Sequence, residues 1–134
     1  MKTYKSFVKV RYSETDQMGV VYHGNYAQYL ELARIEWLEK LGVSYKEMEE
    51  EGVMLPVYEM KLRFRKSAKF DDILTIKTRL IGTPGVRIKF EYEIYNQEEE
   101  LLTEAETVLV FLDSQENRPI RCPQYLLDRI KAQE

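Results

Sequence analysis

The residues best suited to acid–base or nucleophilic chemistry lie together in one stretch, TDQMGVVYHGNY, at positions 15–26. Asp16 offers a carboxylate, a group that can act as a nucleophile or as a general base on water. His23 is the only histidine of the chain, and histidine side chains exchange protons near neutral pH. Gly19 lies between them and permits a tight turn. We therefore treat Asp16 and His23 as candidate catalytic residues.

A long helix is predicted to follow this stretch directly. Its apolar residues recur three or four positions apart, which predicts one buried stripe. The stripe comprises Tyr26, Leu30, Ala33, Trp37 and Leu41. Asn25 is the predicted N-cap, whose side chain accepts a hydrogen bond from a first-turn N–H, and Gly42 ends the helix. Because Leu32 and Ile35 add apolar surface on the other side, we expect a second subunit to cover that side.

The rest of the chain has mainly the pattern of β-strands. Apolar and polar residues alternate in one segment before the helix and four after it, which predicts half-buried strands. The segments are Tyr4–Tyr12, Val57–Arg65, Leu74–Leu80, Val86–Ile94 and Leu101–Leu112. The predicted inward faces of the first two are Val8, Val10 and Tyr12, and Tyr58, Met60, Leu62 and Phe64.

The order of these segments predicts an α+β fold. Short helices are expected at Ser44–Glu51, with Ser44 as N-cap, and at Pro123–Ala132. Tight turns between the later strands favour a meander with antiparallel pairing. Residues 1–134 then form a single domain, in which a curved sheet wraps around the long helix.

Composition argues against several classes of function. A net charge of −3 with interspersed signs argues against nucleic acid as a partner, because phosphate binding needs a basic excess. The single cysteine, Cys122, permits neither an intramolecular disulfide nor a multi-cysteine metal site, and no metal centre is predicted. No run of about 18 apolar residues and no signal-peptide pattern is found. We therefore expect no membrane span and a cytoplasmic location.

Residues 15–26, followed by Tyr29, Glu31, Ala33-Arg34 and Trp37-Leu38, resemble the signature of the hotdog-fold acyl-CoA thioesterases. The match is to the 4-hydroxybenzoyl-CoA thioesterase branch, and most closely to the bacterial subfamily associated with the Tol–Pal envelope system. The sequence SAKFDD at 67–72 is also similar to the family. The resemblance covers nearly the whole chain. It implies a hotdog fold assembled into homodimers or homotetramers, with active sites at subunit boundaries.

The resemblance also implies roles for individual residues. Asp16 occupies the position of the family's catalytic carboxylate, which acts as nucleophile or as general base on water. His23 occupies the position of a histidine near the helix start, where a backbone N–H polarises the thioester carbonyl of acyl-CoA. Such a donor contributes about 10²–10³ in rate. The residues expected to bind substrate are Tyr22, Gly24, Asn25 and Tyr26. No cofactor is expected.

Other interpretations of these residues are open. Without the motif, Asp16 is a turn residue and His23 a structural or capping group. Glu31 could act as an acid or base, but its spacing favours a helix ion pair with Arg34. Four basic residues could meet CoA phosphates or simply face solvent: Arg63, Arg65, Lys66 and Lys69. A hotdog dehydratase and a non-catalytic acyl-CoA-binding scaffold are alternative functions, and the acyl specificity is open.

Overall fold

The fold is an open sheet of five strands with one long helix on its inner face. The computed structural model describes residues 2–133. The helices are α1 (Tyr26–Lys40), α2 (Tyr45–Glu50) and α3 (Gln124–Ala132). The strands are β1 (Thr3–Lys9), β2 (Val53–Met54), β3 (Val57–Phe64), β4 (Ile73–Ile81), β5 (Arg87–Tyr95), β6 (Leu101–Val110), β7 (Leu112–Asp113) and β8 (Arg118–Pro119). Two 3₁₀ turns, Tyr12–Glu14 and His23–Asn25, precede α1.

The large sheet has the strand order β1-β4-β5-β6-β3, and every neighbouring pair is antiparallel. A simple meander would place β3 beside β4, but β3 pairs with β6 and forms an edge. The connection 65–72 therefore runs along the end of the sheet. Along this path Lys66 N–H donates to Leu102 O at 3.1 Å, and Gln97 Nε2 donates to Asp72 Oδ1 at 3.0 Å. The meander prediction was wrong for β3 and correct for β4 to β6.

The core lies between the inner face of the sheet and α1. All five residues of the predicted helical stripe are buried, from Leu30 at 0% exposure to Leu41 at 4%. The Trp37 ring meets the Phe90 ring of β5 edge-on, with centroids 4.9 Å apart. Each fully buried side chain of this size contributes about 1.5–3 kcal/mol. The α+β arrangement predicted from the sequence is therefore present, with α1 as its central element.

Only the C-terminal end of α1 matches the sequence prediction. At the C-terminal end, Gly42 adopts a positive φ of 82°, as expected of a helix stop. At the N-terminal end, the Asn25 side chain accepts no hydrogen bond from the first turn. Its amide donates instead to the carbonyl of Glu14 at 2.8 Å. The predicted capping role of Asn25 was therefore wrong, because a partner eleven residues earlier binds its side chain.

The shorter helices were predicted correctly. Ser44 caps α2, and its hydroxyl accepts a hydrogen bond from Glu47 N–H at 3.2 Å. Leu126 and Ile130 of α3 are buried, as their helical spacing indicated. No helix within residues 2–133 is both long and apolar enough to cross a membrane.

Strand β1 is shorter than predicted. It ends at Lys9, and although Val10 is buried, Tyr12 is 76% exposed in the first 3₁₀ turn. The chain turns because the Glu14 carboxylate accepts a hydrogen bond from the Arg11 N–H at 2.9 Å. The inward position predicted for Tyr12 was therefore wrong.

Strand β3 exposes most of the face that its alternation predicts to be inward. Tyr58 is 62% exposed, Met60 41% and Phe64 49%, while Leu62 is half-buried. The reason is that α1 packs mainly on β1 and β4, which lie at the opposite edge of the sheet from β3. The inner face of the sheet is wider than the helix, so an apolar strip along β3 stays uncovered in the single chain. Leu32 of α1 is also 40% exposed.

Candidate active site

Asp16 begins a tight turn and holds that turn with its own side chain. Its Oδ1 accepts hydrogen bonds from the N–H of Met18 at 2.8 Å and of Val20 at 3.4 Å. Its N–H donates to Val20 O at 2.8 Å, and Gly19 adopts a φ of +78°, which glycine tolerates best. The turn thus fixes the carboxylate through Oδ1. Oδ2 has no hydrogen-bond partner among residues 2–133.

Backbone contacts attach this turn to the rest of the fold. Thr15 and Val21 form an antiparallel bridge at its base. Val21 N–H donates to the carbonyl of Ala68 at 2.8 Å, and Val20 forms a bridge with Lys69. The segment 65–72 therefore supports the turn from one side. Asp16 directly follows Thr15, and the helix-initiating turn begins shortly after Val21. The Asp16 turn and the helix start are therefore connected to the two strands of the same bridge.

The start of α1 offers free backbone donors beside this bridge. The 3₁₀ turn His23–Asn25 continues directly into the helix, and its own bonds use the N–H groups of Asn25 and Tyr26. The N–H groups of His23 and Gly24 have no acceptor among the residues that the structure describes. Free N–H groups at a helix start carry the positive end of the helix dipole. They can therefore stabilise negative charge that develops on a bound carbonyl oxygen.

Tyr22 and His23 form an exposed aromatic pair at this helix start. Their ring centroids are 4.4 Å apart and their planes are tilted by 41°. Tyr22 is 50% exposed, and the His23 imidazole has no hydrogen-bond partner within residues 2–133. Gly24 makes room for the pair, because a Cβ at this position would lie 2.6 Å from Tyr22 Cε2. No direct hydrogen bond joins His23 to Asp16.

The other two predicted binding residues lie deeper. Tyr26 is 2% exposed, and its ring packs against Phe64 of β3 at 5.1 Å and against Tyr29 at 5.7 Å. Burial raises the pKa of its phenol. The Asn25 amide is already bonded to Glu14 O. Tyr26 therefore forms a wall between the helix start and β3, while Asn25 braces the loop; their part in binding substrate stays a prediction.

Glu14 is a buried charged residue of this region that the sequence prediction missed. The residue is 7% exposed, and its carboxylate accepts hydrogen bonds from Tyr29 Oη at 2.9 Å and from the Arg11 guanidinium at 3.1 and 3.3 Å. Burial disfavours the charged carboxylate, but the donors on Arg11 and Tyr29 outweigh it, so the pKa of Glu14 lies below its ordinary value. Arg11 and Glu14 are three residues apart in the sequence. That spacing was the only feature of the sequence that indicated the contacts among Arg11, Glu14 and Tyr29.

Glu31 and two of the four basic candidates do not join the site. Glu31 is exposed, and Arg34 donates to the Tyr92 hydroxyl at 3.3 Å, so the predicted Glu31–Arg34 ion pair is not found within residues 2–133. Two of the basic candidates pair with surface carboxylates: Arg65 with Glu104 at 2.5 Å and Lys66 with Glu100 at 2.6 Å.

Cys122 is buried away from the site, and burial raises the pKa of its thiol to about 12. Within residues 2–133, no three metal-ligating side chains come together.

Known proteins resemble this chain in sequence. Residues 10–130 match the family described as the thioesterase-like superfamily. The acyl-CoA thioester hydrolase YbgC of Escherichia coli O6:H1 is 34% identical over 124 residues, covering 92% of this chain and 92% of that protein.

Solved structures agree with that match. DHNA-CoA thioesterase from Staphylococcus aureus superposes with a TM-score of 0.92 at 36% identity, covering 98% of this chain and 89% of that chain. Slr0204, a 1,4-dihydroxy-2-naphthoyl-CoA thioesterase from Synechocystis, superposes with a TM-score of 0.88 at 26% identity, covering 96% of both chains. The chain therefore belongs to the thioesterase-like superfamily, and its hotdog fold is confirmed.

Proposed function

We propose that this member of the thioesterase-like superfamily hydrolyses acyl-CoA thioesters to the free acid and CoA. The observation that carries the proposal is the shared bridge of the candidate site. It joins the turn that holds the Asp16 carboxylate to the helix start with its free N–H groups. One part can supply or activate the attacking oxygen, and the other can stabilise the developing oxyanion. We also propose that the protein belongs to the 4-hydroxybenzoyl-CoA thioesterase branch suggested by the motif at 15–26. The proposal further includes a single domain over residues 1–134 and a cytoplasmic location.

Two routes for Asp16 are compatible with this geometry. As a general base, it takes a proton from water while the water oxygen attacks the thioester carbon, and the C–S bond then breaks to release CoA thiolate. As a nucleophile, its carboxylate attacks the carbon and expels CoA thiolate, and water then hydrolyses the mixed anhydride. The free Oδ2 supports either role. Mass spectrometry of protein quenched in the first turnover separates the routes, because only the second leaves an acyl group on Asp16.

The proposal assigns the remaining site residues to substrate. The half-exposed Tyr22 ring and the His23 imidazole flank the free N–H groups, where they can orient the thioester or transfer a proton to the leaving thiolate. Gly24 contributes its backbone N–H, Tyr26 forms the wall towards β3, and Asn25 lies beside it at the helix start. The apolar strip along β3 meets Tyr26 at Phe64, and it offers apolar surface for the acyl group.

We further propose that a second copy of the chain completes the site by pairing along β3. Arg65 N–H donates toward β6, to Leu102 O at 2.8 Å. Because successive backbone groups of a strand point to opposite sides, those of Phe64, Leu62 and Met60 point to the free edge. A free edge with exposed apolar side chains is a template for strand addition. An antiparallel pairing would bring the partner's strand beside Phe64, and hence beside the helix start.

Substitution of Asp16 tests the proposed function. Asp16→Asn keeps an Oδ1 that can accept the Met18 and Val20 N–H bonds but cannot attack or take a proton. We expect hydrolysis to fall by at least about 10²-fold, measured as thiol release from short, long and aromatic acyl-CoA. Asp113→Asn is the matched control, because Asp113 Oδ1 holds another turn in the same way, by accepting Gln115 N–H at 3.0 Å. This control should keep full activity.

Each outcome of that experiment has a defined meaning. Unchanged hydrolysis in Asp16→Asn would falsify the catalytic role of Asp16. Wild-type protein that binds acyl-CoA tightly without releasing thiol would favour the binding-scaffold alternative. Hydration of an enoyl thioester without thiol release would favour the dehydratase alternative.

The pairing along β3 is tested by placing a charge on it. Phe64→Asp should shift the protein from dimer to monomer in sedimentation equilibrium and lower activity, although Asp16 is untouched. Phe7→Asp is the control, because Phe7 is an equally large side chain, 65% exposed, on the other edge strand. A wild-type protein that is monomeric and fully active at nanomolar concentration contradicts the pairing.

A further inference from the structure

We infer that Glu14 is a positioning residue that holds the Asp16 turn and the helix start in their catalytic arrangement. The inference rests on the proposed function for its kinetic consequence. Glu14 does not touch the expected reaction centre. It acts through the residues that it connects, namely the turn two positions later and the first turns of α1.

Glu14 contacts the residues that lead into α1 through its backbone, and α1 itself through its side chain. Its carbonyl accepts hydrogen bonds from the N–H of Tyr22 at 2.9 Å and from the Asn25 amide at 2.8 Å. Its carboxylate accepts a hydrogen bond from the Tyr29 hydroxyl, one turn further along the helix, at 2.9 Å. Three contacts from one residue thus fix the helix start relative to the chain that leads into Asp16.

The N-terminal side of Glu14 is held as well. Arg11 donates to its carboxylate from both the backbone N–H, at 2.9 Å, and the guanidinium. A buried carboxylate with this many donors has one strongly preferred position. The distance from the Asp16 carboxylate to the free N–H groups of His23 and Gly24 therefore depends on the Glu14 contacts.

The same contacts exclude Glu14 as a general base. Its carboxylate is buried and already bonded to Tyr29 and Arg11, so substrate water has no path to it. A positioning role explains why a charge is buried here, at a cost in desolvation, beside a site that needs fixed geometry. A misplacement of about 1 Å can lower a rate by as much as about 10².

Three variants grade the loss of the Glu14 side-chain contacts and leave its backbone carbonyl in place. Tyr29→Phe removes one hydroxyl donor, Glu14→Gln keeps the size and acceptor oxygen of the side chain, and Glu14→Ala removes the side chain. We expect kcat to fall about 10-fold, about 10-fold and about 10²-fold respectively, with KM within about twofold of wild type. Tyr4→Phe is the matched control, because it removes a similar hydroxyl contact, to Gln133 at 3.0 Å, far from the site. This control should leave kcat unchanged.

Amide hydrogen exchange gives a readout that does not need activity. The N–H groups of Asp16 and Tyr22 are held by Val20 O and Glu14 O, and they should exchange at least about 10-fold faster in Glu14→Ala than in wild type. If wild-type protein releases no thiol, the proposed function fails, and exchange alone decides the positioning role. Unchanged exchange in Glu14→Ala overturns the inference. A loss of activity confined to KM, or no rescue by Gln relative to Ala, also overturns it.

Discussion

Replacing Asn25 with Asp separates the structural role of this residue from the role that its sequence position predicts. As a helix N-cap, Asp is as favourable as Asn, and its charge adds a favourable interaction with the helix dipole. In the structure, however, the Asn25 amide is a donor to Glu14 O at 2.8 Å. A carboxylate has no proton to donate, so the two oxygens must move apart. The two roles therefore predict opposite signs for the change in stability.

The size of the effect follows from that contact. Loss of a hydrogen bond between neutral groups costs about 0.5–1.5 kcal/mol, and a charged oxygen against a carbonyl oxygen adds a comparable penalty. The helix dipole offsets about 0.3–1 kcal/mol. We expect a net loss of about 1–2 kcal/mol in the free energy of unfolding. For a chain of 134 residues, this corresponds to a decrease in Tm of about 4–8 °C.

Thermal and urea unfolding at neutral pH measure this change. Asn117→Asp is the control, because it adds the same charge at an exposed turn before β8, far from α1. The decrease in the free energy of unfolding of Asn25→Asp relative to wild type should become smaller at low pH, since a protonated Asp can again donate to Glu14 O. An Asn25→Asp protein as stable as wild type at neutral pH, or more stable, refutes the assigned contact and restores the N-cap interpretation.

Two further predictions concern titratable groups. Because burial raises the pKa of Cys122 to about 12, native protein at pH 8 should show no rapid reaction with a thiol reagent, whereas protein in guanidinium chloride should show one thiol per chain; rapid labelling of native protein contradicts the buried position. The pKa of Glu14 is lowered in the folded state, so the stability gained from its charge is complete above the unfolded value of about 4.5 and is lost as pH falls through the folded value. The difference in free energy of unfolding between wild type and Glu14→Gln, measured by urea titration, should therefore shrink below about pH 4.5 as Arg11 and Tyr29 lose their charged partner; a difference that is constant with pH argues against a charged Glu14.

Local periodicity predicted the helix well. The buried stripe from Tyr26 to Leu41 depends only on helix geometry, and each member was identified from spacing alone. The stop at Gly42 and the cap at Ser44 are equally local, because they involve residues within one turn. Such features need no knowledge of distant partners.

Features that depend on distant partners were predicted less well. An alternating strand looks the same at an edge as in the middle of a sheet, so the exposure of Phe64 was not predictable from its own segment. The sequence predicted that the Asn25 side chain accepts a hydrogen bond as a local N-cap. In the structure it donates instead to the carbonyl of Glu14, eleven residues away. Glu14 was missed for the same reason, because its partner on the helix, Tyr29, lies fifteen residues later and one turn inside the helix.

The motif at 15–26 identified the segment that contains the candidate site but not its contacts. The bridge between Thr15 and Val21, from which the Asp16 turn and the helix start both extend, was not predicted. The engagement of Asp16 Oδ1 by its own turn, and the absence of a hydrogen bond to His23 within residues 2–133, were not visible in residue types. These details depend on backbone geometry at Gly19 and on the support from Ala68.

The pairing proposed along the free edge of β3 would also limit how far self-association can extend. If two copies pair through β3 about a twofold axis, each copy uses its β3 edge, and the joined sheet then ends in a β1 strand on both sides. Lys5 and Lys9 are exposed along β1, and lysines on an edge strand disfavour the addition of another chain. Assembly by edge pairing should therefore end at two copies. Removing both lysine charges is the change that would make open-ended filaments from the same folded subunit possible.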